Sequence, residues 1–501
     1  MVPRTLLASA MFPRTLIASL LALTFAVLPA SAQPVPAPDC TVDGTLSDTD
    51  GLKLDIVYRC RSAVALDFHA DGDRIAGKVM SFRDGAGHAL LPSANSWRVE
   101  PRGGLVEAHY RYDLTGYARA VDQTSVALQR GGGVLAILSS WLLEPRGYQR
   151  APTIDIRMNT DAGLVFATGL PRIGDAWRLA GTTVRFAGYS ALGRLSLQEI
   201  AVPLPGSLRP GQSAGRGAGQ GVLHVAILDG FSEVGRVAVI DWVRRTAEAQ
   251  ANYWQGFTAR QMLLGLVPAG TRRGVGYGRT VPGGGVTVMV EVGAEVDPRR
   301  LFGDWVLTHE FVHTGMPFIR GRSTWFMEGA ATYIEPIIRA RAGWKTEDEV
   351  WREWVESMPQ GNGAFGIGLA NASGRQNYWA GATFMLLADL SIRRATKGGK
   401  GLEDCLGGAL WSGLDGSLRA GLDEYATACD RATGTPVMAE LIARHVERAE
   451  PVDLAALWRD LGISIAGGRV VLDDTAPAAA WRKMIVMGMR PTPRVRLPWE
   501  S

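Results

Sequence analysis

The chain has 501 residues, 47% of them hydrophobic and 20% charged, with a formal net charge of +4. That apolar content supports a large core and two or three domains, and it excludes wholesale disorder. No Lys/Arg block of the kind that tracks phosphates is present, which argues against nucleic acid as a partner. In chain order, the first feature is an export-signal pattern. Arg14 gives a basic start, Leu16 to Leu28 is an almost unbroken apolar run, and Ala30-Ser31-Ala32 supplies small-x-small cleavage before Gln33-Pro34. Pro3-Arg4-Thr5-Leu6 nearly repeats at Pro13-Arg14-Thr15-Leu16, which makes Met11 a second candidate start. The apolar run is short for a bilayer span. The expectation is cleavage after Ala32, a periplasmic or secreted mature protein, and no stable membrane span thereafter. Losing residues 1–32 removes Arg4 and Arg14, so the mature charge is 4 − 2 = +2.

Cys40, Cys60, Cys405 and Cys429 fall into two sequence-local pairs, one near each end. In an oxidising compartment they read as two disulfides. Residues 33–202 are expected to form a β-rich N-terminal domain. Short alternating runs recur there at Leu52–Tyr58, Ala63–Phe68, Ser125–Leu128 and Thr183–Phe186, punctuated by Gly, Asp and Pro. Residues 203–221 are rich in Pro, Gly, Ser and Gln and read as a linker. A third segment, 222–400, carries strand patterns at Val222–Leu228, Gln261–Val267 and Val286–Val292 and a helix pattern at Val234–Tyr253. Helical patterns dominate from Pro298. Residues 401–501 read as a mainly helical C-terminal region. Sheet first and helices after is an α+β order.

The strongest local signal is His309-Glu310-Phe311-Val312-His313. On a helix, positions i and i+4 share a face, so two imidazoles reach one zinc ion at about 2.0–2.1 Å. Glu310 lies one step round the helix, close enough to contact a water there without displacing it. Asp297 reads as an N-cap and Pro298 as a first-turn residue. Leu301, Phe302, Trp305 and Val306 form an apolar stripe, and Gly315 and Pro317 stop the helix. His69, His88, His109, His224 and His445 lie outside any ligand spacing and read as surface or satisfied histidines.

A third ligand is needed. The metzincin pattern would place a histidine six residues after the second, where this chain has Ile319. The gluzincin pattern takes a Glu from the following helix, and Trp325-Phe326-Met327-Glu328-Gly329-Ala330-Ala331-Thr332-Tyr333-Ile334-Glu335 meets that requirement. Ser323 or Thr324 is placed to cap it. This segment resembles the third-ligand helix of aminopeptidase N relatives, of the glycyl aminopeptidase family and of the peptidase MA-like group. Tyr378-Trp379-Ala380-Gly381 is similar to the Tyr-x-x-Gly segment that carries the catalytic tyrosine in the first two. The apolar helix Phe384–Ile392, Arg393-Arg394 and then Gly401-Leu402-Glu403-Asp404 also resemble the glycyl aminopeptidase family. The resemblance covers about 290–410, is weak over the β-rich front, and includes no C-terminal PDZ-like module.

The resemblance implies a thermolysin-like zinc peptidase domain over 222–400 with one Zn²⁺ per chain on His309, His313 and Glu328. It also implies a peptide or protein substrate, Glu310 as general base and Tyr378 as donor to the oxyanion. Thr332 or Glu335 is expected to orient a ligand histidine. A catalytically silent gluzincin fold is the competing reading, and the presence of all four metal and base residues favours an enzyme. Gly283-Gly284-Gly285 before the apolar strand Val286–Val290 reads either as a plain turn or, by the resemblance, as the start of the edge that pairs with substrate backbone. That stretch lacks the amine-anchoring Glu that aminopeptidase N relatives carry in Gly-x-Met-Glu-Asn, so cleavage of internal bonds is expected. An aminopeptidase using Glu291, on the face of Thr287 and Met289, or another acid as its amine anchor is the alternative.

Overall fold

The computed structural model describes residues 36–204, 219–270, 272–488 and 493–500. The expected signal segment and most of the expected linker (205–218) lie outside these residues. The front of the chain is built from sheets. Seven strands lie in the order Arg172–Ile173, Ala176–Leu179, Ile154–Thr160, Cys40–Asp48, Leu52–Arg61, Leu105–Asp113, Val79–Asp84. Alternation sets the register: Val42, Leu46, Leu54, Ile56 and Tyr58 are buried while their chain neighbours face out. Cys40 lies directly opposite Cys60 on adjacent antiparallel strands, 4.1 Å apart at Cα, and the two are bridged. The run Thr183–Phe186, expected as a strand, is instead a 3₁₀ turn at Val184–Phe186.

The second major sheet has five strands, in the order Ser196–Pro203, Gln220–Ile227, Gln261–Pro268, Val286–Val292, Val275–Pro282. The three inner strands run parallel and both edges are antiparallel. Its two faces have different partners, so the inner strands read as near-continuous apolar runs. On one face Ala226, Leu263 and Met289 pack against Leu128, Leu135 and Tyr189 of a four-stranded front sheet. On the other, Val225, Leu264, Val288 and Val290 pack against Val239, Trp242 and Val243 of the helix Glu233–Trp254 and against Leu307 and Phe311.

The rear of the chain is helical, centred on Thr324–Arg341 and Arg375–Ala395. Leu402–Trp411, Leu422–Thr433, Val437–Ile442, Leu454–Leu461 and Ala479–Met487 surround them. The bridge Cys405–Cys429 joins the first two of these flanking helices. The β-rich front and helical rear follow the expected order. Among the described residues no helix is long and apolar enough to cross a membrane.

Candidate active site

The helix bearing both candidate histidines is only Val306–His313. Asp297 does cap a helix, through Arg299 N–H at 3.0 Å, but that helix ends at Gly303. The chain then breaks, and Asp304 Oδ1 accepts from Val306 N–H at 2.8 Å to start the next helix. Sequence reading merged the two because the apolar stripe runs through the break. A helix of two turns is marginal alone, so packing must hold it. Leu307, Phe311 and Val312 are fully buried, and Gln250 Nε2 donates to the Thr308 carbonyl at 2.7 Å. Each such burial stabilises by about 1.5–3 kcal/mol.

His309, His313 and Glu328 offer ligand atoms that all lie within 4.8 Å of one another. His309 Nε2 is 3.1 Å and His313 Nε2 3.6 Å from Glu328 Oε2. Burial works to raise the Glu328 carboxyl, and the two imidazoles overcome it and hold that carboxyl well below the usual range. Burial likewise pulls His313 down, and the carboxylates of Glu328 and Glu310 more than offset it. A carboxylate facing two imidazole nitrogens is a donor set that fits zinc in composition and count. The other histidines have partners of their own. His69 meets Ser96, His88 meets Asp84, His109 meets Glu107, His224 meets Glu199 and His445 meets the Glu450 carbonyl.

These residues, Glu310 and Tyr378 line one cleft of about 470 Å³. Its opposite wall is the edge strand Val275–Pro282, which sequence reading missed. Gly276, Gly278 and Thr280 alternate with Tyr277, Arg279 and Val281, so one face of this strand is uniformly small, and that alternation was the available signal. A Cβ on Gly278 would lie 2.7 Å from Glu310 Cγ, so glycine lets the strand approach the base. Thr280 Oγ1 lies 2.8 Å from Glu310 Oε2 and can donate to it. Tyr378 stacks on His309 with ring centroids 6.1 Å apart. Its phenol is pushed up to about 12, first by burial and then by the charges of Glu328 and Glu310, so it stays a hydrogen-bond donor.

Three expectations need correction. Gly283-Gly284-Gly285 is the turn that joins the cleft-edge strand Val275–Pro282 to Val286–Val292. The strand after it is an inner strand and not the edge, and a Cβ on Gly283 or Gly285 would meet the Phe186 or Gly169 carbonyl at 1.7 or 2.3 Å, so these glycines admit front-domain backbone. Glu291 does not line the cleft and accepts from Thr124 Oγ1. Glu335 pairs with Arg339 at 2.7 Å, and Thr332 Oγ1 and His309 Nδ1 are both buried without a hydrogen-bond partner, so neither residue holds a ligand histidine.

The Gly401-Leu402-Glu403-Asp404 segment has a structural role behind the site. Arg393 reaches Glu403 at 2.8 Å and Asp389 at 2.8 Å, and Tyr333 donates to Asp389 at 2.9 Å, which ties Thr324–Arg341 to Arg375–Ala395.

No protein-family model matches the sequence, and neither does any curated protein. Solved structures do. An aminopeptidase N family protein from Idiomarina loihiensis shares 14% identity over 85% of this chain and 78% of its own, with a TM-score of 0.58. An M1 zinc metallopeptidase from Deinococcus radiodurans shares 13% identity over 83% of this chain and 94% of its own, with a TM-score of 0.48. At this identity the first likeness is one of fold, and the chain has the fold of the aminopeptidase N family protein.

Proposed function

We propose that this chain is an exported zinc-dependent peptidase that cuts internal peptide bonds. The observation that carries the reading is the convergence of His309, His313 and Glu328 beside Glu310, in a cleft whose other wall is an open strand edge. Zinc, when bound by these three residues, supplies Lewis acidity that acidifies a water and polarises the scissile carbonyl. Glu310 takes the water's proton and passes it to the leaving amine. The Thr280 hydroxyl lies 2.8 Å from both Oε2 and the backbone carbonyl of Glu310, which keeps that carboxylate against the edge strand. The Tyr378 hydroxyl donates to the developing oxyanion. The unpaired side of Val275–Pro282 offers backbone groups to an extended substrate. Export accords with the Ala30-Ser31-Ala32 pattern and with both disulfides.

The carboxylates lining the cleft are Glu310 and Glu328, both committed, so none remains to hold a substrate's ammonium group. An N-acetylated peptide is therefore expected to be cut at least as fast as its free-amine counterpart. The activity should vanish with a chelator and return with one equivalent of zinc. Measuring kcat/KM for one peptide in both forms tests this. No turnover at full zinc loading overturns the peptidase reading, and a strong preference for the free amine overturns the internal-bond specificity.

Tyr378→Phe removes one donor aimed at charge that exists only in the transition state. We expect kcat to fall by ~10²–10³ with KM little changed. Steady-state kinetics at native kcat would show that Tyr378 is only packing on His309.

A further inference from the structure

Apart from its two histidines, the cleft is lined by three charged side chains: Glu310, Glu328 and Arg279. The first two have roles above. Arg279 sits on the edge strand between Gly278 and Thr280, opposite Met289 in register. It is half-buried, and its Nη1 donates to the Ser125 carbonyl at 2.6 Å. Among the described residues it forms no ion pair with any carboxylate. Glu291, the nearest acid by register and diagonal to it, is held by Thr124 instead.

A guanidinium cannot shed its proton and carries five donors in a planar fork. Here the fork is held by two neutral partners, the Ser125 carbonyl and the Tyr189 hydroxyl, which orient it without neutralising it. Other arginines of the front sheets are offset by an acid, as Arg157 is by Asp175 or Arg178 by Asp155. An oriented, uncompensated guanidinium on a substrate-cleft wall is matched by a carboxylate, which it takes bidentately.

We infer that Arg279 is the subsite for a substrate carboxylate, supplied by an acidic side chain or by the peptide's C-terminus. The inference rests on the peptidase reading and names its substrate class: peptides carrying an anion near the scissile bond. Arg279 recognises substrate and takes no part in the bond-breaking step.

The test uses zinc-loaded full-length protein and a peptide series in which Glu, Gln or Lys is moved through the positions flanking the cut. Each peptide is made with a free and an amidated C-terminus. Wild type is expected to favour the anionic member over its neutral counterpart by ~10–100-fold in kcat/KM, the range for a hydrogen bond to a charged group. The advantage falls at one side-chain position if the source is an acidic residue, or with the free terminus if it is the C-terminal carboxylate. The preference should collapse in Arg279→Gln, persist in weakened form in Arg279→Lys, and invert toward Lys in Arg279→Glu. Because the preference is a ratio read within each variant, a general loss of activity cancels. A wild-type ratio near one throughout, or a ratio that survives Arg279→Gln, overturns the inference and leaves the peptidase reading standing. A zinc-loaded protein that cuts no peptide overturns the peptidase reading. Equilibrium binding of the acidic and neutral peptides to wild type and Arg279→Gln then decides the carboxylate site on its own.

Discussion

Glu310→Gln is expected to leave zinc at one per chain and to lower kcat by ~10²–10⁴, the usual worth of a positioned general base. The two halves of this result come from different atoms. The proposed ligand set is His309, His313 and Glu328, and Glu310 is not among the converging donors. Its carboxylate turns instead toward the edge strand, where Thr280 Oγ1 lies 2.8 Å from Oε2. Glutamine keeps the shape that fits beside Gly278, where a Cβ would already be within 2.7 Å of the Glu310 stem, and it keeps one oxygen to accept from Thr280. What it loses is the anionic oxygen that accepts a proton. Metal analysis and steady-state kinetics on the same preparation check both halves. Loss of zinc would make Glu310 a ligand, and unchanged turnover would remove its role as base.

How much of this was legible in the sequence differs from part to part. His309 and His313 were readable because a spacing of four has one geometric meaning on a helix, and that meaning is local. Glu328 was readable because the helix that carries it follows directly. Tyr378 was found only through resemblance, since nothing in Tyr-x-x-Gly reports that its ring stacks on His309 from a helix more than sixty residues later in the chain. The edge strand Val275–Pro282 was missed because half its positions are glycine or threonine, and strand assignment rewards apolar alternation. The glycine run at 283–285, which is a turn, left a turn and a substrate-pairing edge both open for a related reason. Glycine reports that something comes close, without saying what, and here the neighbour is Phe186 and Gly169 backbone. Arg279 had no local signal at all. Its interest comes from its place in the cleft without an ion pair among the described residues, which only the assembled cleft reveals.

Gly381→Ala is expected to destabilise the protein by about 3 kcal/mol, at the upper end of what overpacking costs, and to lower kcat along with it. Glycine in a helix interior ordinarily costs up to ~1 kcal/mol relative to alanine, so on propensity alone the change should help. It should not help here, because the two central helices cross at Gly329 and Gly381. A Cβ on Gly381 would stand 1.9 Å from the Trp325 carbonyl oxygen, and one on Gly329 would stand 2.2 Å from Gly381 Cα. These are backbone atoms, so no side-chain rotation relieves the overlap and the helices must separate. Separation also strains the Tyr333–Asp389 hydrogen bond and the edge contact of Trp325 with Phe384, whose centroids are 5.0 Å apart. The consequence reaches the cleft directly. Glu328 immediately precedes Gly329, and Tyr378 lies one turn before Gly381, so the crossing point sets the distance between the Glu328 carboxylate and the phenol. A displacement near 1 Å at reacting groups can cost ~10²-fold in rate. Gly407→Ala supplies the control. It too lies in a helix, its nearest neighbour to a new Cβ is Trp411 Nε1 at 3.9 Å, and propensity should win there. Denaturant unfolding should therefore show Gly381→Ala shifted down and Gly407→Ala unchanged or shifted up. Equal stability of Gly381→Ala and wild type would mean that the helices do not meet at these glycines, and that the Gly of Tyr-x-x-Gly has some other cause.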